Sequence, residues 1–228
     1  SLASAVETVK KLEIKLADFA KKHKKEIQHD PAFRKRFLEM CAPLGVDPLS
    51  SEKGFWGMLG IGEFYYELAV KVAEVCIASR SRNGGIISAS EVKSILEKRG
   101  TKFKFAASSN SSNYTKDDII ACTKKLSVLG SGFRTIQVGK TTMIVSVPTE
   151  LDHDHMEIMS LAQQHADRGV TLPQIMDDTG WNKDRAKRAI KLLLTQGMAW
   201  LDVYRGQNYY WFPSVWKEGL EEDEEVAT

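Results

Sequence analysis

The run Asp152-His153-Asp154-His155-Met156 holds four side chains of metal-ligating type. Alternating His and Asp cannot converge on one face of a helix, and acids at a helix start serve its dipole. The run therefore reads as a helix N-terminus. Asp177-Asp178 is a carboxylate pair, but it falls at a helix end, where solvation accounts for it. His23 and His165 have no Cys or Ser nearby in sequence to activate. No CxxC, HExxH or GxSxG occurs. Gly54, Gly57, Gly60 and Gly62 resemble a phosphate-binding loop in glycine content alone, since no Lys-Ser/Thr follows and the spacing is not GxGxxG. No catalytic, metal or cofactor constellation is expected, and an enzyme is not the reading.

Binding chemistry is better supplied. Trp181 to Leu194 opens at a capping Asn182, places Ala186, Ala189, Ile190, Leu193 and Leu194 on an apolar stripe, and sets Lys183, Arg185, Lys187, Arg188 and Lys191 off it. Such a helix is shaped to lie in a DNA groove. Lys187, Arg188 and Lys191 are candidates for contact with nucleic acid or with an acidic protein surface. Charge decides between them. Net charge is +2 over 228 residues. Residues 1–50 carry +3, residues 51–148 carry +6, and residues 149–228 carry −7 with Glu221 to Glu225 in the tail. An acidic third of the chain opposes a polyanion, which argues against nucleic acid as the partner. A DNA-binding transcription regulator remains the alternative function.

The elements that position these residues follow from periodicity. Leu2, Val6, Val9, Leu12, Leu16, Phe19, His23 and Ile27 make one seam on a long helix. Asp30 caps and Pro31 opens a second helix lined by Phe33, Phe37, Met40 and Leu44, completing a helical hairpin over 1–50. A glycine-rich yet apolar linker, 51–62, carries Phe55 and Trp56 and is expected to dock on a surface. One unit then occurs twice. Residues 63–148 give a helix apolar nearly all round and expected buried, the extended "GGIIS", a helix from Ser88 stopped at Gly100, a helix from Thr115 and Asp118 stopped at Gly130, and two strands about Gly139-Lys140. Residues 149–217 give a helix, the extended "GVT", a helix from Thr171 to Gly180, the basic helix, and a hairpin of "AWLDVY" and "YYWF" about "RGQN". The fold class is mainly α (α+β), a helical hairpin followed by two tandem winged helices. The first copy carries an insertion near 101–114, and 218–228 is an acidic tail.

In the second wing, alternation puts Leu201 and Val203 on one face and Trp200, Asp202 and Tyr204 on the other. The return strand is aromatic on both faces, Tyr209 with Trp211 and Tyr210 with Phe212. One face of a small wing is buried, so one aromatic set lacks a core. It serves either as an interface anchor or as a bed for Trp216 and the C-terminal segment.

Composition sets the compartment. The chain is 43% hydrophobic and 27% charged, without a run of about eighteen apolar residues to span a membrane. Cys41, Cys76 and Cys122 are odd in number, distant and set in apolar helices, as reduced core thiols are. No leader pattern is read at the start, and the chain opens on Ser1, as expected of a trimmed piece.

The stretches "FAKKHKKEI", "DPAFRKRFLEMCAPLGVDPL", "KGFWGMLGIGEFYYELAVKVAEVC", "RNGGIIS", "SVPTEL" and "GMAWLDV" together resemble the ESCRT-II core subunits of the vacuolar-protein-sorting twenty-two type. The resemblance implies a non-enzymatic scaffold of tandem winged helices that sorts ubiquitinated cargo into multivesicular endosomes. It implies a cytoplasmic protein recruited to the endosome membrane. Its partners would be one thirty-six-type subunit and the two copies of the small twenty-five-type subunit in the complex. The hairpin and first winged helix would pack on the sister subunit, with Phe33, Phe37, Phe55 and Trp56 as the candidate residues. The second winged helix would receive the small subunit at Trp200, Tyr209 and Trp211. The basic N-terminal half would favour an anionic endosomal membrane. No cofactor is implied.

Overall fold

The structure, a computed structural model, describes residues 2–41, 43, 61–102, 114–128 and 132–216. Phe55, Trp56, Gly54, Gly57 and Gly60 of the linker, Leu44, Gly130, the insertion beyond Lys102 and the acidic tail lie outside these residues, whereas Gly62 falls in a helix. The chain divides into two compact units, Ser1–Val75 with Ala89–Gly130, and Cys76–Ser88 with Ser131–Thr228.

In the first unit, α1 spans Leu2–Lys22, α2 Lys24–His29 and α3 Pro31–Cys41. The expected single long helix is interrupted at His23, whose backbone leaves helical geometry (φ −109°, ψ 28°). Its ring is held against Phe19 at 4.5 Å and Phe33 at 5.6 Å. Asp30 Oδ1 accepts from the amides of Ala32 (2.9 Å) and Phe33 (3.1 Å), so the α3 cap is as expected. Ala17, Ala20, Ile27, Phe37 and Cys41 are buried, whereas Val6, Leu12, Ile14 and Met40 face solvent. The seam is thus a core only towards the end of α1. Helix α4 spans Ile61–Asn83, α5 Ala89–Lys102 and α6 Lys116–Val128. Helix α4 is not buried all round, since Tyr66, Val70 and Ile77 are exposed. Helix α5 continues through Gly100, which sequence reading took as its stop.

One polar cluster organises this unit. The guanidinium of Arg34 is 1% exposed. Nε donates to Asp118 Oδ1 at 2.9 Å and Nη2 to Oδ2 at 2.7 Å. Nη1 donates to the carbonyls of Ile27 (3.0 Å) and Gln28 (3.1 Å), on the last turn of α2. The guanidinium carbon sits 4.3 Å from the centre of the Phe64 ring. Tyr65 donates to Asp118 Oδ1 at 2.6 Å, and the Thr115 amide donates to Oδ2 at 2.8 Å. Thr115 Oγ1 accepts the Asp118 amide in return, which closes the expected cap of α6. Burial alone would raise the carboxyl of Asp118, but hydrogen bonds from Arg34, Tyr65 and Thr115 outweigh it and hold it below the usual range. Burial, with Asp118 beside it, pushes the Tyr65 phenol far above its ordinary value.

In the second unit, β1 (Ile86–Ser88), β2 (Arg134–Val138) and β3 (Thr141–Val145) form an antiparallel sheet in the order β1-β3-β2, with Ile86 opposite Val145 and Thr135 opposite Ile144. Helices α7 (His153–Gln164), α8 (Leu172–Thr179) and α9 (Lys183–Thr195) precede the hairpin of β4 (Trp200–Tyr204) and β5 (Gln207–Trp211). The expected extended "GVT" is a bridge, with Val170 and Tyr210 exchanging hydrogen bonds of 3.0 and 2.7 Å. Thr171 caps α8 in a reciprocal box with Gln174, and Gly180 ends it at φ 69°. The order helix, strand, helix, helix, hairpin therefore occurs twice. The core, however, is shared: Ile86, Val138, Met143 and Val145 from the first sheet cluster with Ile158, Met159, Ile175, Ile190, Leu193, Tyr210 and Phe212. Cys41, Cys76 and Cys122 are buried and form no disulfide with one another, and burial pushes the Cys76 thiol up to about 12.

A backbone contact fixes one corner of this core. Gly84 has φ +67°, and a Cβ there would fall 2.6 Å from the carbonyl carbon of Gly197. Arg80 reinforces the corner by donating to the Ser146 carbonyl and hydroxyl.

Two outcomes follow from these packings. Gly84→Ala combines a disfavoured backbone conformation with a clash against backbone, and should cost roughly 2–4 kcal/mol, read as a lowered midpoint of urea unfolding. The Asp118 carboxyl is depressed in the folded state, so its stabilisation is complete above its unfolded value of about pH 3.9 and is lost as pH falls through the folded value. Acid titration should show this loss, and Asp118→Asn should remove that part of the pH dependence while costing about 3 kcal/mol or more at neutral pH, because the buried Arg34 loses its counter-charge.

Candidate partner-docking surface

The β4–β5 wing is set by its turn. Arg205 (φ 50°) and Gly206 (φ 78°) are both left-handed, as a two-residue hairpin turn with matching twist requires. The turn is thus shorter than the four residues "RGQN", and Gln207 and Asn208 belong to β5. The register pairs Trp200 with Trp211, Leu201 with Tyr210, Asp202 with Tyr209, Val203 with Asn208 and Tyr204 with Gln207. Alternation then separates the faces. Tyr210 and Phe212 point into the core, while Trp200, Asp202, Tyr204, Tyr209 and Trp211 share the other side.

Exposure differs from the expectation of one buried face. Trp200 is 46% exposed, Leu201 50%, Val203 61% and Tyr204 56%. Leu201 and Val203 lie on the side of Tyr210, yet the wing carries them beyond the core. Both faces of β4 are consequently apolar and open. Trp211 is half-buried: its indole lies over Gly169, where a Cβ would approach the ring to 3.0 Å. Trp216 packs on it at 5.9 Å between ring centres and so covers part of the aromatic set. Tyr209 is also half-buried, which leaves Trp200 as the most exposed of the three sequence-predicted anchors.

Helix α9 lies in the same unit. Asn182 Oδ1 accepts the Arg185 amide at 2.9 Å, as expected of a cap. Its five cations are not equivalent. Arg185 forks onto Asp154 at 2.9 and 2.7 Å and stacks over Trp181 at 4.4 Å. The hydrogen bond from Arg185 holds the Asp154 carboxyl below its usual range. Lys183, Lys187, Arg188 and Lys191 are exposed, and none makes an ion pair among the described residues. Sequence reading missed the Arg185–Asp154 pair because its partners lie 31 positions apart with no pattern to join them.

The run 152–156 is occupied by structural work. Asp152 Oδ1 accepts the His155 amide, and His155 Nδ1 accepts the Asp152 amide, both at 3.1 Å. His153 pairs with Glu157 at 3.0 Å. A cleft of about 740 Å³ lies beside α7, lined by Gln137, His153, Glu157, Ser160, His165 and Asp178. Its His165 ring contacts Arg168 at 2.9 Å. In the first unit, Phe37 is fully buried and Phe33 half-buried, with the Phe19 ring 6.3 and 6.0 Å away, respectively.

Comparison with known proteins places this architecture. The model of the EAP30/Vps36 family matches residues 3–203. Vacuolar-sorting protein SNF8 of Mus musculus is 45% identical over 206 residues, covering 89% of this chain and 76% of that protein. Vacuolar protein sorting-associated protein 22 homolog 1 of Arabidopsis thaliana is 45% identical over 203 residues, covering 88% and 78%. Among solved structures, a chain of the ESCRT-II endosomal trafficking complex superposes with a TM-score of 0.69 at 30% identity, covering 93% of both chains. A chain of the crystal structure of endosomal complex ESCRT-II (VPS22/VPS25/VPS36) gives 0.68 at 31%, covering 93% and 94%.

The two wing tryptophans should separate in stability measurements. Trp200→Ala removes an exposed ring and should change unfolding free energy by less than about 1 kcal/mol. Trp211→Ala uncovers Gly169 and Trp216 and should cost about 2 kcal/mol in chemical denaturation.

Proposed function

Because the chain belongs to the EAP30/Vps36 family, we propose that it is a scaffold subunit of an ESCRT-II-type endosomal sorting complex. It acts through protein contacts rather than catalysis, in sorting ubiquitinated membrane cargo into multivesicular bodies. The observation that carries this reading is the match along 93% of the chain to a subunit of a solved ESCRT-II complex. Its partners are then subunits of the VPS25 and VPS36 types, as in the complex described by those names. From the cytoplasm it is recruited to the endosome, and the excess of Lys and Arg in residues 1–148 favours an anionic membrane there.

Two surfaces carry these contacts in the proposal. The VPS25-type subunit docks on the second wing, at Trp200, Tyr209 and Trp211. Exposed aromatic and aliphatic groups on a rigid hairpin, with a half-buried ring beneath, are the makings of an interface hot spot. The VPS36-type subunit packs on the hairpin and the first winged helix. Phe33 and Phe37 shape that surface from beneath and the exposed Val6, Leu12, Ile14 and Met40 widen it, with Phe55 and Trp56, outside the described residues, proposed for the same contact. The limits 63–148 and 149–217 are proposed for the two winged-helix repeats, although the first repeat's sheet packs in the second repeat's core.

Co-purification of the full chain with VPS25-type and VPS36-type subunits tests the assignment. Trp200→Ala should weaken retention of the VPS25-type subunit by tenfold or more, about 1.4 kcal/mol, with the VPS36-type subunit still bound. Unchanged affinity in both Trp200→Ala and Trp211→Ala would remove the wing from the interface. Absence of any complex would remove the function.

A further inference from the structure

The acidity of the C-terminal third is unevenly placed. Residues 149–216 carry seven Lys/Arg and nine Asp/Glu, whereas residues 217–228 carry one and six. Five of the seven net negative charges therefore belong to the last twelve residues, and residues 149–216 are nearly balanced. Within residues 149–216 the signs are segregated. Asp154 and Glu157 sit on α7 and Asp177 and Asp178 on α8, while the cations gather on α9.

Positions 183, 187 and 191 follow one another at four-residue spacing, with Arg188 beside them. They form one exposed face opposite the buried Ala186, Ala189, Ile190 and Leu193. Asp184 is the one carboxylate on α9 itself. The single arginine of the helix with a carboxylate partner, Arg185, lies off this face on Asp154. Four cations and one carboxylate, Asp184, thus share a face of net charge +3, in the same chain as a run of five consecutive acids, Glu221 to Glu225.

We propose that the run Glu221–Glu225, which lies outside the described residues, docks on the α9 face of Lys183, Lys187, Arg188 and Lys191 and masks it from external polyanions. Charge complementarity is one support. Reach is the other. Val215 packs on the core that holds the buried side of α9. From Trp216, five residues reach Glu221 and nine reach Glu225, spans of up to about 17 and 30 Å. Helix α9, of 13 residues, is about 20 Å long. A tether of this length keeps the acids at an effective concentration of about millimolar around the face, so weak ion pairs suffice to populate the docked state. Salt opens it, because the cations of α9 are solvent-exposed and therefore screened. The inference is independent of the endosomal reading, since it concerns one chain alone.

The test uses the full chain and a variant with Glu221→Gln, Glu222→Gln, Asp223→Asn, Glu224→Gln and Glu225→Gln. Amine-reactive labelling at low ionic strength, read by peptide mass spectrometry, should be at least about twofold faster at Lys187 and Lys191 in the variant, and the difference should vanish in about 0.5 M salt. Lys140, exposed on the β2–β3 turn, should label alike in both. Immobilised heparin is the polyanion probe: the variant should elute at higher salt than the parent. Adding Lys187→Glu, Arg188→Glu and Lys191→Glu should cancel that gain. Equal labelling in the two chains, or an equal rise at every lysine, overturns the proposal. So does a heparin gain that survives charge reversal on α9, because the tail would then mask another surface.

Discussion

A buried guanidinium has to be neutralised and hydrogen-bonded on every side, or the segment that carries it does not stay buried. Arg34 meets that demand with pieces from four places in the first unit: carbonyls at the end of α2, the carboxylate at the start of α6, the ring of Phe64, and through Asp118 the phenol of Tyr65. Each partner is itself committed. The two carbonyls belong to the last turn of α2, and Asp118 is already part of the cap of α6. The cluster therefore specifies how hairpin, α4 and α6 meet, where the apolar contacts alone would tolerate sliding. Phe19, Phe33, Phe37 and Ile27 then supply the packing around a geometry already chosen.

The second unit is organised differently. Its sheet of three short strands has too little surface to hold a core alone, and its inward residues join those of α7, α8 and α9. Close backbone approach at Gly84 and Gly197 brings the end of α4 against the α9–β4 connection. Polar interactions here are peripheral: caps at Asp152, Thr171 and Asn182, and the fork of Arg185 on Asp154. What remains apolar and open is the distal wing, which has no room in this core. A surface of that kind is stable in isolation only while it is small, and it gains by finding a partner.

Much of this was legible in the sequence. Caps at Asp30, Thr115, Thr171 and Asn182 marked helix starts, and alternation separated Tyr210 and Phe212 from Tyr209 and Trp211, while which pair enters the core came from the structure. Local chemistry is what a sequence displays. The misreadings were of two kinds. Gly100 lies in a helix that continues, and His23 interrupts one whose pattern runs on, since neighbouring packing overrides local preference. The others were distant: the Arg34–Asp118 pair, 84 positions apart, the Arg185–Asp154 fork, and the exposure of Leu201 and Val203, which depends on where the core ends. Net charge also misled as a guide to surface, because a sum over residues 149–228 hid a separation of signs.

The partition of the chain bears on its synthesis. Residues 76–88 belong with residues from 131 onward, and the stretch between them belongs with the N-terminal unit. A chain emerging from the ribosome can complete the first unit once α6 is out, but β1 has no neighbour until β3 follows. For that interval Ile86 and Ile87, both fully enclosed in the finished fold, are held out by a nascent chain whose matching strand has yet to be made. Handling by chaperones during translation would concentrate on this stretch, and a truncation anywhere between β1 and β3 would leave the same pair of isoleucines permanently stranded.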